Sequence, residues 1–157
     1  MKDSNRSKLD EILSRHDRRM TENAQRETNE AKAKEEFVRT FLERCMSIIR
    51  PAMMEIGDII KNSGHEYKIV DNLTKKVEGN DMLKIDFQIL NNDNRNYSAI
   101  EVPHITFSAD KSARTIRIDE TAKETSSSRD DRFLTMEQIT TDIVQGRILR
   151  VVDYAFR

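Results

Sequence analysis

Two of the three histidines in this 157-residue chain follow residues that break regular structure. His65 comes directly after Gly64 in the run Gly64-His65-Glu66-Tyr67. A histidine beside a carboxylate could act as an acid/base pair or contribute to a metal site. Neighbouring residues on a strand point to opposite faces, so His65 could cooperate with Tyr67 but not easily with Glu66. The expectation taken here is simpler: His65 sits at a helix end, where the macrodipole favours a cation near the last carbonyls. His104 follows Pro103, and a bulge there could aim it into a site. Zinc, however, takes four ligands and keeps three protein ligands in catalytic sites, and His104 has no identified second ligand.

Asp86 and Glu101 stand on predicted neighbouring strands, each flanked by apolar residues. Acids so placed would suit a metal-dependent nuclease or hydrolase. Such a site would also want a lysine two residues beyond the second acid, and Pro103 occupies that position. Both acids are therefore expected as solvent-face charges. His65, Asp86, Glu101 and His104 remain the candidate catalytic set, with no metal and no cofactor expected. Cys45 falls in an apolar stripe and is expected to behave as a small hydrophobe. No phosphate loop, CxxC, HExxH or GxSxG motif is present.

Charged residues make up 35% of the chain and hydrophobic ones 36%, yet the net charge is −1. Nothing global steers such a chain to nucleic acid or anionic lipid. Nine aromatics, mostly on apolar faces, and no basic cluster argue further against a nucleic-acid surface. A single cysteine fits a reducing compartment. Without a signal-like start or a long apolar run, the expectation is a cytoplasmic protein with no membrane partner.

The excess charge lies in residues 1–36, where nine cations and nine acids interleave. Glu11–Arg15, Glu22–Arg26, Glu30–Lys34 and Glu35–Arg39 have the spacing that supports a helix, at roughly 0.2–0.5 kcal/mol each. Ser7 followed by Asp10 reads as an N-cap. The spacing predicts a helix over 8–36, a charged arm; a disordered charged tail is the alternative. From Phe37 the apolar residues thicken into Phe37, Phe41, Cys45, Ile48, Ala52, Ile56 and Ile59, an amphipathic helix facing a core. Pro51 predicts a kink near Ser47–Arg50, or a new helix starting there. Gly64 then ends the helix.

Beyond Gly64 the apolar period falls to two. Strands are predicted at 66–71, within 75–89 about a hairpin signal at Gly79-Asn80-Asp81, across 97–109 with Pro103 inside, and at 113–119 after a tight turn. Short connections imply an antiparallel meander of four or five strands. Residues 120–132 read as a mobile polar linker. A capping box at Thr135 and Gln138, with Leu134 and Ile139 as a staple, predicts the start of a last helix facing inward through Ile139, Ile143, Leu149, Val152 and Phe156. The expected fold is α+β: the helical arm over 1–36 and one α+β domain over 37–157.

The run Arg50-Pro51, Met54-Glu55-Ile56-Gly57, Gly64-His65, Tyr67 and Ile69 resembles a pattern in small uncharacterised bacterial α+β proteins, some carried on integron gene cassettes. Similarity extends loosely to His104–Asp110 and the final helix. The resemblance implies an α+β fold and a bacterial source, and gives no residue a role.

A single helix from Ser7 to Asn62 would run about 84 Å, against a diameter of about 40 Å for a compact chain of this size. The expected resolution is a homodimer through the arm, with Leu9, Leu13, Met20, Ala24, Ala31, Phe37 and Phe41 as interface. The expected function is non-enzymatic protein binding or assembly, adaptor- or chaperone-like. Three alternatives stand beside it: a small metal-dependent hydrolase or nuclease, a small-ligand binder with a pocket between sheet and helix, and a frayed terminus with no role.

Overall fold

The protein is described here by a computed structural model covering residues 2–74, 82–90, 102–121 and 129–157. The helices are α1 (Asp3–Arg44), α2 (Arg50–Asn62) and α3 (Thr141–Ala155). The strands are β1 (Glu66–Asp71), β2 (Lys84–Leu90), β3 (His104–Asp110), β4 (Thr115–Glu120) and β5 (Phe133–Leu134). They form one antiparallel sheet in the order β1-β2-β3-β4-β5. This is the α+β class that the periodicity predicts. The chain packs as two units, Met1–Glu36 and Phe37–Arg157.

The first unit is helix throughout its described residues after Lys2. It begins earlier than the sequence suggests. Asn5 and Arg6 donate backbone N–H bonds to the Lys2 carbonyl, and Asp3 supplies the acidic first turn. Ser7 is therefore inside the helix and not its cap. Arg15 bonds Glu11 at 3.0 Å, one turn away. Every described residue up to Lys32 is exposed.

In the second unit the helices cover one face of the sheet. The core joins Phe37 and Phe41 of α1 and Met53, Ile56 and Ile60 of α2 to Ile85, Phe87, Ile105, Phe107, Ile116 and Ile118 of the strands. Val144, Ile148 and Val151 of α3 close it. Between α1 and α2 lies a π-helical turn, Cys45–Ile49, where the Arg50 N–H bonds the Cys45 carbonyl five residues back. The break predicted near Ser47–Arg50 takes this form. Pro51 has no N–H to give Ser47, and the wider turn accommodates the missing bond. It also shifts the buried stripe. Phe37, Phe41, Cys45, Ile49 and Met53 follow one another at intervals of four, whereas Ile59, predicted to face the core, is 63% exposed.

Other predicted details move as well. β3 starts after Pro103 rather than running through it; Pro103 still accepts a bond from the Ile89 N–H. The 110–112 turn closes on Asp110, whose Oδ1 accepts from Ser112 and Ala113 N–H groups. The hairpin signal at 79–81 lies outside the described residues, as does most of the 120–132 stretch. At its ends, Glu120 closes β4 and Arg129–Arg132 form a 3-10 turn. The capping box at Thr135 and Gln138 is present, but it caps the short 3-10 turn Met136–Gln138. α3 starts five residues later with Thr140 as N-cap, its hydroxyl accepting from the Ile143 N–H. Its buried face is accordingly Val144, Ile148 and Val151, while Ile143, Leu149 and Phe156 are exposed.

Candidate functional site

The Gly64 corner is a helix stop held by backbone. Gly64 adopts φ +91°, a conformation that suits glycine. Its N–H bonds the Lys61 carbonyl at 3.0 Å, and the His65 N–H bonds the Ile60 carbonyl at 3.2 Å. Those two bonds make a Schellman motif. His65 thus satisfies the helix end through its main chain. Its ring packs 4.7 Å from the Phe156 ring, and Nδ1 is buried with no hydrogen-bond partner among the described residues. Ile59, Ile60, Ser63, His65, Val152 and Phe156 line a groove of about 270 Å³ between the ends of α2 and α3.

Tyr67 does not join His65. Its ring lies over Gly57, where an added Cβ would come 2.4 Å from the ring carbons, and 5.6 Å from the Phe87 ring. Its hydroxyl donates to Asp58 Oδ1 at 3.1 Å. Partial burial, then the bond to Asp58 and that carboxylate's charge, raise its pKa. Gly57 and Tyr67 of the resembling pattern are therefore a packing pair.

Asp86 lies on the sheet face away from the helices, in one row with Val70, Thr106 and Asp119. Thr106 Oγ1 donates to its Oδ1 at 2.8 Å and Gln88 Nε2 to its Oδ2 at 2.6 Å. Both oxygens are engaged in cross-strand and same-strand bonds. His104 sits on the same face opposite Gln88, with Nδ1 2.9 Å from the Val102 carbonyl. A neutral His104 would donate from Nδ1 there, which leaves Nε2 as the acceptor. Glu101 lies outside the described residues. Among the described residues no three His, Cys, Asp or Glu side chains converge to hold a metal ion.

Cys45 is fully buried. Burial pushes its thiol pKa up to about 12; Asp71 adds to this and Arg50 opposes it. The thiol stays protonated near neutral pH and is no nucleophile.

Three ion pairs carry no local signal in the sequence because their partners are far apart along it. Arg50, on α2, hydrogen-bonds Asp71 at the end of β1, and both are mostly buried. Burial acts to raise the Asp71 pKa, but the Arg50 hydrogen bond, the Leu73 N–H and the Arg50 charge outweigh it, so the pKa is lowered. Glu120, 8% exposed, meets Arg150 at 3.0 Å and Arg147 at 3.8 Å, which ties β4 to α3. One cue was available: an acid ending a strand of alternating apolar residues, read instead as the start of a linker.

The remaining candidate is a surface. Leu9, Ile12, Leu13 and Met20 are 44–58% exposed on α1, and Ala24 and Ala31 are exposed with them. Leu9, Leu13, Met20, Ala24 and Ala31 are spaced four, seven, four and seven. Eleven residues make about three turns, so these five fall on one straight line along the helix. Phe37 and Phe41, predicted to belong to the same interface, do not. They are 8% and 0% exposed in the core of the second unit and are closed to a partner.

Among the described residues, no helix is long and apolar enough to cross a membrane. No protein-family model, curated protein or solved structure matches the chain.

Proposed function

We propose that this protein is a non-enzymatic assembly protein that forms a homodimer through the first three-quarters of α1. One observation carries the reading: a helix of 42 residues on which Leu9, Leu13, Met20, Ala24 and Ala31 lie in a line and are exposed. Fully burying a side chain the size of leucine or methionine contributes about 1.5–3 kcal/mol. A second helix with the same line would bury Leu9, Leu13 and Met20 on both sides at once. The thinness of the line, with Glu27 falling on it five turns from Leu9, fits reversible pairing rather than an obligate coiled coil.

Sedimentation equilibrium on the full chain tests this. The chain weighs 18.3 kDa. The expected species is twice that mass, and the triple variant Leu9→Lys, Leu13→Lys, Met20→Lys should sediment as the single chain. Lysine forms helix about as readily as leucine or methionine, so the variant isolates the apolar line. A full-length protein that stays at the single-chain mass across the accessible concentration range would end the proposal.

A further inference from the structure

Beside the apolar line of α1 the two flanks carry opposite charge. At about 100° per residue, Asp3, Asp10 and Asp17, seven apart, run along one side of the line. Lys8, Arg19 and Arg26 run along the other. All six residues are exposed. Arg6, on the acidic side, is the exception in this stretch. Past Arg26 the flanks mix, with Glu30 and Lys34 on one side and Lys32 and Glu35 on the other.

Helices that pair in the same direction bring the left flank of one against the right flank of the other, as g and e positions meet in parallel coiled coils. Helices that pair in opposite directions bring each flank against its own kind. A parallel pair in register sets Asp17 near Arg19 and Asp10 near Lys8 of the second copy, each about 3 Å apart along the axis and each occurring twice. The antiparallel pair stacks the aspartates on aspartates and the arginines on arginines. Register is constrained too. The four-seven spacing repeats every eleven residues, so a shifted pair either breaks the apolar line or gives up eleven residues of overlap.

We infer that α1 takes a second copy of this chain as its partner, parallel and in register, with the Asp10–Asp17 flank lying on the Lys8–Arg19 flank. This rests on the reading of α1 as the dimer element and adds its direction and register.

Full-length Ala24→Cys and Ala31→Cys, each made singly, provide the test. Cys45 is buried and does not compete. Under mild oxidation both variants should form disulfide-linked dimers, about tenfold or more faster than Asn29→Cys on the far side of the helix, because pairing raises the local thiol concentration. Reduced samples are weighed by light scattering in parallel. Dimers in which only one position or neither cross-links overturn the parallel register while leaving helix pairing in place. Monomers overturn pairing and this inference together. As a second arm, Asp17→Arg and Arg19→Asp should each weaken the dimer several-fold, and the double exchange should restore it; a double variant no tighter than either single one contradicts the inference.

Discussion

Residues Asp3–Glu36 and residues Phe37–Asn62 are both helical, yet different forces hold them. The later stretch places Phe41, Cys45, Ile49 and Met53 at 0% exposure against the sheet. The earlier one is exposed from its start through Lys32 and leans on contacts within the helix such as Arg15–Glu11. Exposed ion pairs of this kind give only tenths of a kcal/mol each. Tertiary packing is what usually stabilises a helix in a protein. The stretch from Phe37 has that packing already; the stretch before it has an apolar line whose residues are exposed. That contrast is why we propose the leading segment as the assembly element.

The contrast breaks most visibly if the core is emptied. Phe41→Ala should cost about 3–5 kcal/mol in urea unfolding, whereas Ile12→Ala, on the exposed segment and off the line, should stay within about 0.5 kcal/mol. Equal effects would mean that the two stretches are not held differently.

Next in size is the Arg50–Asp71 pair that ties α2 to β1. Asp71→Asn should cost about 1.5–3 kcal/mol near neutral pH. The pH dependence has a definite sign. The Asp71 pKa is lowered in the folded state, so its stabilisation is full above the unfolded carboxylate value of about 3.9 and is lost as pH falls through the folded value. The gap between wild type and Asp71→Asn should therefore close below about pH 4. A gap unchanged down to pH 2 would contradict the pairing.

Gly57→Ala sharpens the packing side. Alanine gains about 1 kcal/mol in helix propensity, but its Cβ would meet the Tyr67 ring at 2.4 Å, and overpacking costs about 1–3 kcal/mol. The expected net effect is destabilising, and in a Tyr67→Ala background the same substitution should become stabilising. The smallest effect has the opposite sign. A Cβ at Gly146 would touch nothing within 4 Å, so Gly146→Ala should stabilise by about 1 kcal/mol in thermal or urea unfolding.

Element order was legible because the apolar period changes from near four to two at Gly64, where a left-handed glycine must end the helix. Alternation places Asp86 on the face away from the core, as found, but says nothing about which bonds a polar side chain makes, and it gives no place to His104 beside the bulge expected at Pro103. Steps that needed three dimensions failed. A regular helix predicts Ile59 on the core; the π turn at Cys45–Ile49 changes which side of α2 turns inward, so Ile60 is buried and Ile59 is not. Thr135 and Thr140 are both competent caps, and pairing of Phe133–Leu134 with β4 decides which one starts α3. Phe37 and Phe41 share the helix of the interface residues but turn to the core, a choice set by what the sheet offers. Arg50 and Asp71, 21 residues apart, carry no local signature of their pairing.

Amide hydrogen exchange followed by mass spectrometry, on the intact chain over a hundredfold range of concentration, tests the central claim most directly. Peptides covering Leu9–Ala31 should gain protection as concentration rises, while those covering Phe37–Ile60 should hold the same protection at every dilution. Protection of Leu9–Ala31 that does not change with concentration, in a protein that remains a single chain, would contradict the account.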